Sequence, residues 1–397
     1  MIPKVLVVTS LYPSDSEPQK APFNFETIKA LSQLVDLQVV SPRPWWTRIR
    51  TPSQILRSPR TCYAGIPAVY PSYWSLPSIT RMHGKALSRS MSPLVRRIRR
   101  EFPFNVVFGT WAYPDMVAAA RIARDAGCPF IAKVHGSDIN EFAESADMRE
   151  QISCALKQAD RVIAVSAALG DKVCGLGVNR DSVRVQHNAV DGDRFFIRNR
   201  EETRAKLGLA GTRKLLLYVG RLSKEKGVDI LLNAMESPGM EDIDVVIVGH
   251  GAESDSLLAQ HGRLGLGEHV RFVGTKLPAE IPDWITASDA LCLPSRREGC
   301  PNVILEALAS GRPVVAARVG GVPELLTEAN GVMVEPEDPG ALAKGIRDVL
   351  DRAWQPEALR QTVRYLSWGD VAKSIFAEIT AIIPARRGTV GQGLNPR

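Results

Sequence analysis

The run Leu215-Leu-Leu-Tyr-Val-Gly220 is largely apolar and typical of a buried strand. Directly after it come the polar loop Arg221-Leu-Ser-Lys-Glu-Lys226-Gly227 and an amphipathic segment from Val228 to Met235 that is typical of a helix. A strand, a loop and a helix in this order form the repeating unit of parallel α/β folds.

The same alternation of strand-like and helix-like segments continues through most of the 397 residues. It predicts an α/β fold built on two parallel sheets, in which ligands bind outside the carboxyl ends of the strands. The predicted strands of the first sheet are residues 4–9, 36–40, 105–108, 129–134, 161–165 and 183–186. Those of the second sheet are residues 214–220, 244–249, 270–274, 290–293, 313–316 and 331–334.

The domain organisation follows from the places where this alternation breaks. We expect a first Rossmann-like domain over residues 1–187, a linker over 188–200 and a second Rossmann-like domain over 201–367. Residues 41–100 are rich in Pro, Ser, Arg and aromatic residues and are predicted to form an insertion. Residues 386–397 contain three Gly and one Pro and are expected to form a disordered tail.

The composition suits packed cores, because 45% of the residues are hydrophobic and the length allows two or three domains. No apolar run approaches the roughly 18 residues that indicate a membrane span. The N-terminus enters a strand-like run without a signal-peptide pattern, so we expect a cytoplasmic protein. The six cysteines are scattered without metal-binding spacing, and we expect buried thiols and no metal site.

Two carboxylates, Glu298 and Glu306, lie eight residues apart in Glu298-Gly-Cys-Pro-Asn-Val-Ile-Leu-Glu306. Pro301 and Asn302 suit the first turn of a helix that ends at Gly311. Glu298 would then lie just before the helix, and Glu306 about one turn inside it. The free backbone N–H groups at a helix start attract anions. Two carboxylates beside such an anion site fit a ligand that carries both phosphates and sugar hydroxyls.

Two cations, Arg221 and Lys226, follow the strand 215–220, and Gly227 permits close backbone approach at the next helix start. A planar guanidinium and a compact ammonium are well matched to a diphosphate. The alternative is an ordinary solvated turn rich in Lys and Glu. The two carboxylates after another strand of the same domain favour a binding site over that alternative.

These four residues, with Gly320-Gly-Val-Pro-Glu324 beyond them, resemble the motifs of the family 4 retaining glycosyltransferases. The resemblance covers nearly the whole chain and implies the two-domain GT-B fold, with domains that face a central cleft and a last helix, 368–385, that returns to the first domain. It also implies a role in bacterial polysaccharide or envelope glycan synthesis. The other matching motifs are His135-Gly-Ser-Asp138, Asn188-Ala-Val-Asp191, Val248-Gly-His-Gly251, Gly311-Arg-Pro-Val314 and Ser367-Trp368.

The resemblance implies transfer of a hexosyl group, with retention, from a UDP- or GDP-sugar to a saccharide or lipid-linked saccharide acceptor. It implies no metal or other cofactor, because Arg221 and Lys226 take the role of a metal at the leaving diphosphate. His135 is implied to hydrogen-bond the reacting sugar, Glu298 to lie near that sugar, and Glu306 to hold the ribose hydroxyls. The implied catalytic residues are therefore His135, Arg221, Lys226 and Glu298. The implied donor-binding residues are Gly220, Arg221, Lys226, Glu298, Gly299, Cys300, Asn302, Val303 and Glu306, with Glu324 as a further candidate.

The first loop, from Ser10 to Asn24, departs from the family pattern. Relatives carry one or two glycines there, which let the backbone approach the donor phosphate and the acceptor, and this loop has none. Lys20-Ala-Pro22 stands instead, and alanine disfavours positive φ. We expect either a different approach of the loop, with Lys20 or Asn24 contributing, or a change in how the acceptor is handled.

Some of these residues are also compatible with other functions. Val245-Val-Ile-Val-Gly-His-Gly251 resembles a dinucleotide fingerprint, but it lacks the third glycine and lies in the second half of the chain, which disfavours hydride transfer. Paired carboxylates also suit a glycosidase, which the anion-binding surroundings disfavour. A nucleotide-sugar epimerase of similar shape and a non-catalytic sugar-nucleotide binder stay open, and the need for an acceptor separates them from a transferase.

The net charge of +7 is unevenly placed. Arg96-Arg-Ile-Arg-Arg100 is a dense basic cluster at the end of residues 81–100, which are predicted to form a basic helix. Basic and aromatic residues together favour an anionic membrane surface. A solvated basic face and an anionic polysaccharide acceptor are the alternatives, and no nucleic-acid module is recognisable. The basic and aromatic residues before the cluster are Arg43, Trp45, Trp46, Arg48, Arg50, Arg57, Arg60, Tyr70, Tyr73 and Trp74. The apolar positions of the helix are Met82, Leu87, Met91, Leu94 and Ile98.

Overall fold

Two compact units make up the chain. A computed structural model describes residues 2–46, 60–76, 79–209, 211, 213–364 and 366–389. Unit 1 comprises Met1–Asn188 and Trp368–Arg397, and unit 2 comprises Ala189–Ser367. Arg48, Arg50, Arg57 and residues 390–397 of the expected tail lie outside the described residues.

Unit 1 is built on one large sheet. The strands of that sheet are β1 (Lys4–Val8), β2 (Asp36–Val40), β4 (Arg60–Tyr63), β5 (Ile66–Val69), β7 (Val106–Thr110), β8 (Phe130–Val134), β9 (Arg161–Ala164) and β10 (Val183–Val185), and two short strands, β3 (Arg43–Pro44) and β6 (Ser72–Tyr73), pair with each other in a separate sheet. The sheet has the order β10-β9-β8-β7-β1-β2-β5-β4, and only β4 runs antiparallel to its neighbour. The central strands β7 and β8 are buried throughout, as expected for a parallel sheet covered on both faces.

The helices of unit 1 include the end of the chain. They are α1 (Pro22–Leu31), α2 (His83–Glu101), α3 (Asp115–Ala126), α4 (Ser137–Asn140), α5 (Ala146–Leu156), α6 (Ala167–Gly175) and α15 (Trp368–Thr389). Helix α15 packs against α1. It continues four residues into the stretch that was expected to be a disordered tail, because residues 386–389 are helical.

The predicted basic helix is present as α2, and it uses its apolar face internally. Leu87, Met91 and Ile98 are buried, and the helix packs against α3. The preceding residues also join the core fold, since β5 pairs with β2 and extends the main sheet. Residues 41–100 are therefore only in part an insertion, because β4 and β5 belong to the sheet.

Unit 2 is built on a six-stranded, fully parallel sheet. Its strands are β11 (Lys214–Val219), β12 (Ile243–Val248), β13 (Val270–Gly274), β14 (Ala290–Leu293), β15 (Val314–Ala317) and β16 (Gly331–Val334), in the order β13-β12-β11-β14-β15-β16. Its helices are α7 (Arg200–Lys206), α8 (Val228–Met235), α9 (Ser254–Arg263), α10 (Ile281–Ala287), α11 (Asn302–Ala309), α12 (Val322–Leu325), α13 (Pro339–Asp351) and α14 (Pro356–Gln361).

The strand predictions are confirmed, because each predicted strand is present with its ends shifted by at most two residues. The prediction of buried thiols is wrong for part of the set. Cys128, Cys292 and Cys300 are buried, whereas Cys62 and Cys154 are exposed. In the described part of the chain, no helix is both long enough and apolar enough to span a bilayer.

Candidate active site

The candidate residues of unit 2 lie at the carboxyl ends of two neighbouring strands. Arg221 follows β11, and Glu298 follows β14. The two strands are hydrogen-bonded neighbours in the sheet, with Leu216 paired to Ala290. The loops after them therefore emerge side by side, which is where ligands bind in open parallel sheets.

The centre of this region is an ion pair between Lys226 and Glu298. Lys226 Nζ lies 2.8 Å from Glu298 Oε1, and the same oxygen accepts a 2.7 Å hydrogen bond from Ser295 Oγ. The Glu298 side chain is 6% exposed and that of Lys226 is 27% exposed. A nearly buried carboxylate needs such partners, because losing water is costly for a charge. The pair fixes the position of the ammonium group.

Arg296 holds the two loops together. Its guanidinium binds Asp229 through two hydrogen bonds of 2.8 and 2.7 Å, and its backbone N–H donates to the carbonyl of Glu225. The same side chain reaches the carbonyl of Lys224 at 2.7 Å. This paired charge raises the pKa of Arg296. These contacts of Arg296 hold the short 3₁₀ turn that carries Lys226 next to the loop that carries Glu298.

Two glycines let the backbone approach this region closely. Gly227 has a φ of 66°, and a Cβ there would lie 2.1 Å from the carbonyl oxygen of Pro294. Gly320 has a φ of 51°, and a Cβ there would lie 1.9 Å from the carbonyl oxygen of Glu298. Neither position tolerates a side chain. The Gly320-Gly-Val-Pro-Glu324 motif thus packs its first residue against the backbone of Glu298.

Unlike that of Lys226, the side chain of Arg221 has no ion-pair partner among the described residues. Its side chain is exposed and forms no ion pair or hydrogen bond among the residues that the structure describes. Its carbonyl oxygen accepts a 2.9 Å hydrogen bond from the hydroxyl of the buried Tyr218, which fixes the backbone of the loop. A fixed backbone beneath a free guanidinium suits the binding of an anionic ligand.

Helix α11 begins at Asn302, as the sequence predicts, and Gly311 with a φ of 72° ends it. The helix has no side-chain cap, since Pro301 occupies the N-cap position. Glu306 lies in its second turn, where burial raises the pKa of its carboxyl group to about 7 and the charge of Arg194 only partly opposes this. Glu306 can therefore change its ionisation near neutral pH.

In unit 1, His135 follows β8. Neither ring nitrogen has a hydrogen-bond partner among the described residues, and the ring lies 4.8 Å from that of Phe23. Burial, with a smaller contribution from the charge of Lys133, lowers the pKa of His135 well below its usual value. His135 is therefore a neutral imidazole with free hydrogen-bonding capacity, which suits contact with a sugar hydroxyl better than with a phosphate.

The first loop keeps a glycine-like backbone without glycine. Ala21 has a φ of 48° and a ψ of 62°, in the left-handed region, immediately before α1. Asn24 is fully buried, and its amide nitrogen donates to Thr9 Oγ1, Thr110 Oγ1 and the carbonyl of Leu11. The expectation of Asn24 as an acceptor contact is corrected by this burial, because its amide group holds the loop from inside.

Lys20 remains at the surface of the same loop. Its ammonium lies 3.5 Å from Glu17 Oε2, and its side chain is 29% exposed. Burial lowers the pKa of Lys20, and the charge of Glu17 opposes this shift. Of the two first-loop candidates, Lys20 is the one whose charged group can still meet a ligand.

Two fully buried carboxylates hold the loops at the carboxyl ends of β1, β7 and β8. Asp115 accepts from the backbone N–H of Ser10 at 2.5 Å and from its hydroxyl at 2.8 Å. Asp138 accepts from the backbone N–H groups of Ala112 and His135, both at 3.0 Å. Burial raises the pKa of Asp115 to about 7 and that of Asp138 to about 6, against the lowering effect of these hydrogen bonds.

Comparison with known proteins identifies the family. The profile described as Glycosyltransferase Family 4 matches residues 23–194, and the profile described as Glycosyl transferases group 1 matches residues 199–365. The Bacillus subtilis glycosyltransferase TuaC, which is named for teichuronic acid biosynthesis, is 30% identical over 89% of this chain and 91% of its own. This chain belongs to glycosyltransferase family 4.

Solved structures agree on the fold of this glycosyltransferase, which is GT-B with two Rossmann-like domains. A sucrose-phosphate synthase from Thermosynechococcus elongatus superposes with a TM-score of 0.78 at 18% identity, covering 97% of this chain and 100% of that one. Anabaena HepE in complex with UDP-glucose superposes with a TM-score of 0.66 at 21% identity, covering 98% and 99%.

The structure of this glycosyltransferase also shows residues that the sequence does not single out. Ser295, Arg296 and Asp115 all position residues of the two candidate regions through contacts made at the ends of strands. In the sequence, only their place shortly after an apolar strand or directly after Tyr113-Pro114 distinguishes them. In the described residues, no group of three or more His, Cys, Asp or Glu side chains is arranged to hold a metal ion.

Proposed function

We propose that this glycosyltransferase moves a hexosyl group from a UDP- or GDP-sugar to a saccharide or lipid-linked saccharide acceptor, with retention and without a metal. The observation that carries the proposal is the arrangement in unit 2. The free guanidinium of Arg221, the Lys226–Glu298 pair and the uncapped start of α11 follow neighbouring strands. The complexes of the similarly folded HepE with UDP and UDP-glucose support a nucleotide-sugar donor.

The chemistry that these residues would support is departure of a nucleoside diphosphate. The bond between the anomeric carbon and the phosphate oxygen breaks, and the acceptor hydroxyl bonds to the same face of that carbon while its proton passes to the leaving phosphate. Arg221, Lys226 and the first N–H groups of α11 would stabilise the negative charge that grows on this oxygen. Glu298 would orient Lys226, since it holds the ammonium at 2.8 Å.

Glu306 and His135 would recognise hydroxyl groups. An ionised Glu306 accepts two hydrogen bonds from a ribose, which the elevated pKa of its carboxyl group makes sensitive to pH near 7. A neutral His135 would hydrogen-bond the transferred sugar. We assign neither residue as a nucleophile, so retention is proposed to proceed by same-face displacement.

The proposed setting is envelope glycan synthesis at the inner face of the cytoplasmic membrane, with the protein bound peripherally. The similarity to TuaC, over nearly the full length of both chains, supports an envelope polysaccharide as the product. The basic helix α2 and the exposed aromatic ring of Trp74 on unit 1 support contact with an anionic surface.

A donor screen followed by a transfer assay tests the proposal. Thermal shift with UDP- and GDP-sugars identifies the donor, and turnover is then measured with and without saccharide or lipid-linked acceptors. We expect turnover only with an acceptor, and an NMR coupling constant in the product that matches the donor's anomeric configuration. Turnover without acceptor would indicate an epimerase, binding alone a non-catalytic protein, and an inverted product would refute retention.

A further inference from the structure

Three large apolar side chains are exposed close together on unit 1. Trp74 is 69% exposed, Leu76 52% and Met82 50%. They adjoin one another, because a ring nitrogen of His83, which follows Met82, lies 3.0 Å from the carbonyl oxygen of Leu76. The ring of Trp74 stacks on that of Trp45 at 4.7 Å. We name Trp45, Trp46, Trp74, Leu76 and Met82 the aromatic platform.

A hydrogen bond and ring contacts fix the aromatic platform to the rest of unit 1. Trp45 donates through its indole N–H to the carbonyl of Ser75 at 2.9 Å, and the ring of Trp46 lies 5.5 Å from that of His83. One face of Trp74 is therefore used in stacking while the rest of the side chain stays open to solvent. Soluble surfaces rarely gather exposed aromatic and aliphatic side chains in this way without a partner.

A positively charged groove begins where the platform ends. It has a volume of about 610 Å³ and lies between α2, α3 and α5. Arg81 and Met82 line it, so the groove and the platform share the segment that leads into α2. The acidic lining residues are Asp147 and Glu150, against five cations. The cations are Arg81, Lys85, Arg89, Arg121 and Arg124, and we name this feature the basic groove.

The groove cations on α2, Lys85 and Arg89, and Arg81 just before this helix are available to a ligand. Within the described part of the chain, Lys85 and Arg89 form no ion pair, and Arg81 has only a 3.4 Å contact with the exposed Asp147. Two arginines of the cluster at the other end of α2 already have partners within the protein. Arg97 pairs with Glu101 at 3.5 Å, and Arg99 donates to the carbonyl of Ala126 at 2.7 Å.

We propose that the aromatic platform and the basic groove together dock on an anionic lipid bilayer. The groove takes the anionic headgroups, to which arginine binds in a bidentate manner, and the platform enters the interfacial layer. Exposed apolar side chains beside free cations match a bilayer, in which charge and apolar chains are adjacent, better than a dissolved polyanion. This inference deepens the membrane association proposed above and rests on it. It assigns that association to the aromatic platform and the basic groove instead of the Arg96–Arg100 cluster.

Co-sedimentation of the full chain with vesicles tests this assignment. Phosphatidylcholine vesicles with and without phosphatidylglycerol provide the two surfaces, and partition coefficients are measured at low and high salt. The test variant is Lys85→Ala/Arg89→Ala. The matched control is Arg96→Ala/Arg100→Ala, which also removes two exposed cations from α2. Trp74→Ser removes the exposed ring of the platform.

We expect binding only with phosphatidylglycerol. The groove variant should bind about 25-fold more weakly, from about fivefold per cation, and the control variant less than about threefold. Trp74→Ser should weaken binding about tenfold, and this loss should persist at high salt because it is apolar. Donor affinity, measured by thermal shift, should stay unchanged in all three variants. Failure of the donor screen can therefore be told apart from failure of the proposed membrane-binding surface.

Several results would overturn the assignment. Equal losses for the groove and control variants would indicate non-specific charge attraction. Binding to phosphatidylcholine alone, or no binding to either vesicle, would remove the anionic bilayer as the partner. Loss of vesicle binding in millimolar inorganic phosphate at constant ionic strength would show that the groove is a site for small anions.

Discussion

Replacing Lys226 by alanine should impair both folding and catalysis, whereas replacing Arg221 by alanine should impair catalysis alone. Lys226 is paired at 2.8 Å with Glu298, whose side chain is only 6% exposed. Arg221 is exposed and unpaired among the described residues. The two cations thus have the same proposed role at the leaving diphosphate but different roles in the unliganded protein.

The magnitudes follow from these contacts. Removing Lys226 leaves Glu298 nearly buried, with Ser295 Oγ as its remaining hydrogen-bond donor among the described residues. Breaking a buried pair costs about 3–5 kcal/mol, and the partial exposure of Lys226 favours the lower end, about 3 kcal/mol. For a domain of this size that corresponds to a Tm lower by about 6–12 °C. Each cation should also contribute about 2–4 kcal/mol to the transition state, or about 30- to 900-fold in kcat.

Calorimetry and steady-state kinetics on four variants separate these effects. Arg221→Ala should lower kcat more than it raises KM and leave Tm unchanged, and Lys226→Ala should lower both kcat and Tm. Glu298→Gln should retain most of the stability, because a neutral amide does not require a cation. The double variant Lys226→Ala/Glu298→Gln should regain most of the lost Tm without regaining kcat.

If the double variant stays as unstable as Lys226→Ala, the lost stability does not come from an unpaired Glu298. An equal loss of Tm in Arg221→Ala would contradict the assignment of Arg221 as a free cation. A change in KM alone, in Arg221→Ala or Lys226→Ala, would show that the cation binds the ground state and does not act on the leaving group.

Three further predictions concern pH, metals and the first loop. Nucleotide affinity should fall as pH drops below about 7, because only ionised Glu306 accepts hydrogen bonds from both ribose hydroxyls. The loss should be about 30-fold at pH 5.5 relative to the fully ionised protein. Calorimetry on Glu306→Gln should show weak, pH-independent binding. Turnover should survive excess EDTA, and a loss that manganese restores would contradict the proposed role of the cations. Ala21→Gly should raise the free energy of unfolding by up to about 1 kcal/mol and leave kcat unchanged, since glycine adopts a φ of 48° without strain. Ala21→Val should lower the free energy of unfolding. Equal stability of the two variants would argue against strain at this position.

The prediction of strands and helices from the sequence succeeded where local pattern decides the structure. The apolar run before Arg221 and the Pro301-Asn302 helix start are encoded by neighbouring residues, and both are found where they were predicted. Burial of each strand between helices fixes its position along the chain, so the ends differ by only one or two residues. The family motifs are local in the same sense.

The prediction of side-chain roles from the sequence was less complete, because pairing depends on residues that are distant in the chain. Asn24 looked available to an acceptor, but three hydrogen bonds from its amide nitrogen to Thr9, Thr110 and Leu11 hold it inside unit 1. The apolar positions of α2 could have faced a membrane, and packing on α3 buried most of them.

The sequence by itself determined the α/β fold, the family and the identity of the charged residues in unit 2, since each of these is written in short segments with a fixed spacing. Only the tertiary structure decided which charges are free. Lys226 and Glu298 are 72 residues apart, and Arg296 and Asp229 are 67 apart, so no local pattern records their contact. Adjacent parallel strands bring their loops together, and the cost of burying an unpaired carboxylate then selects the partner that each cation takes.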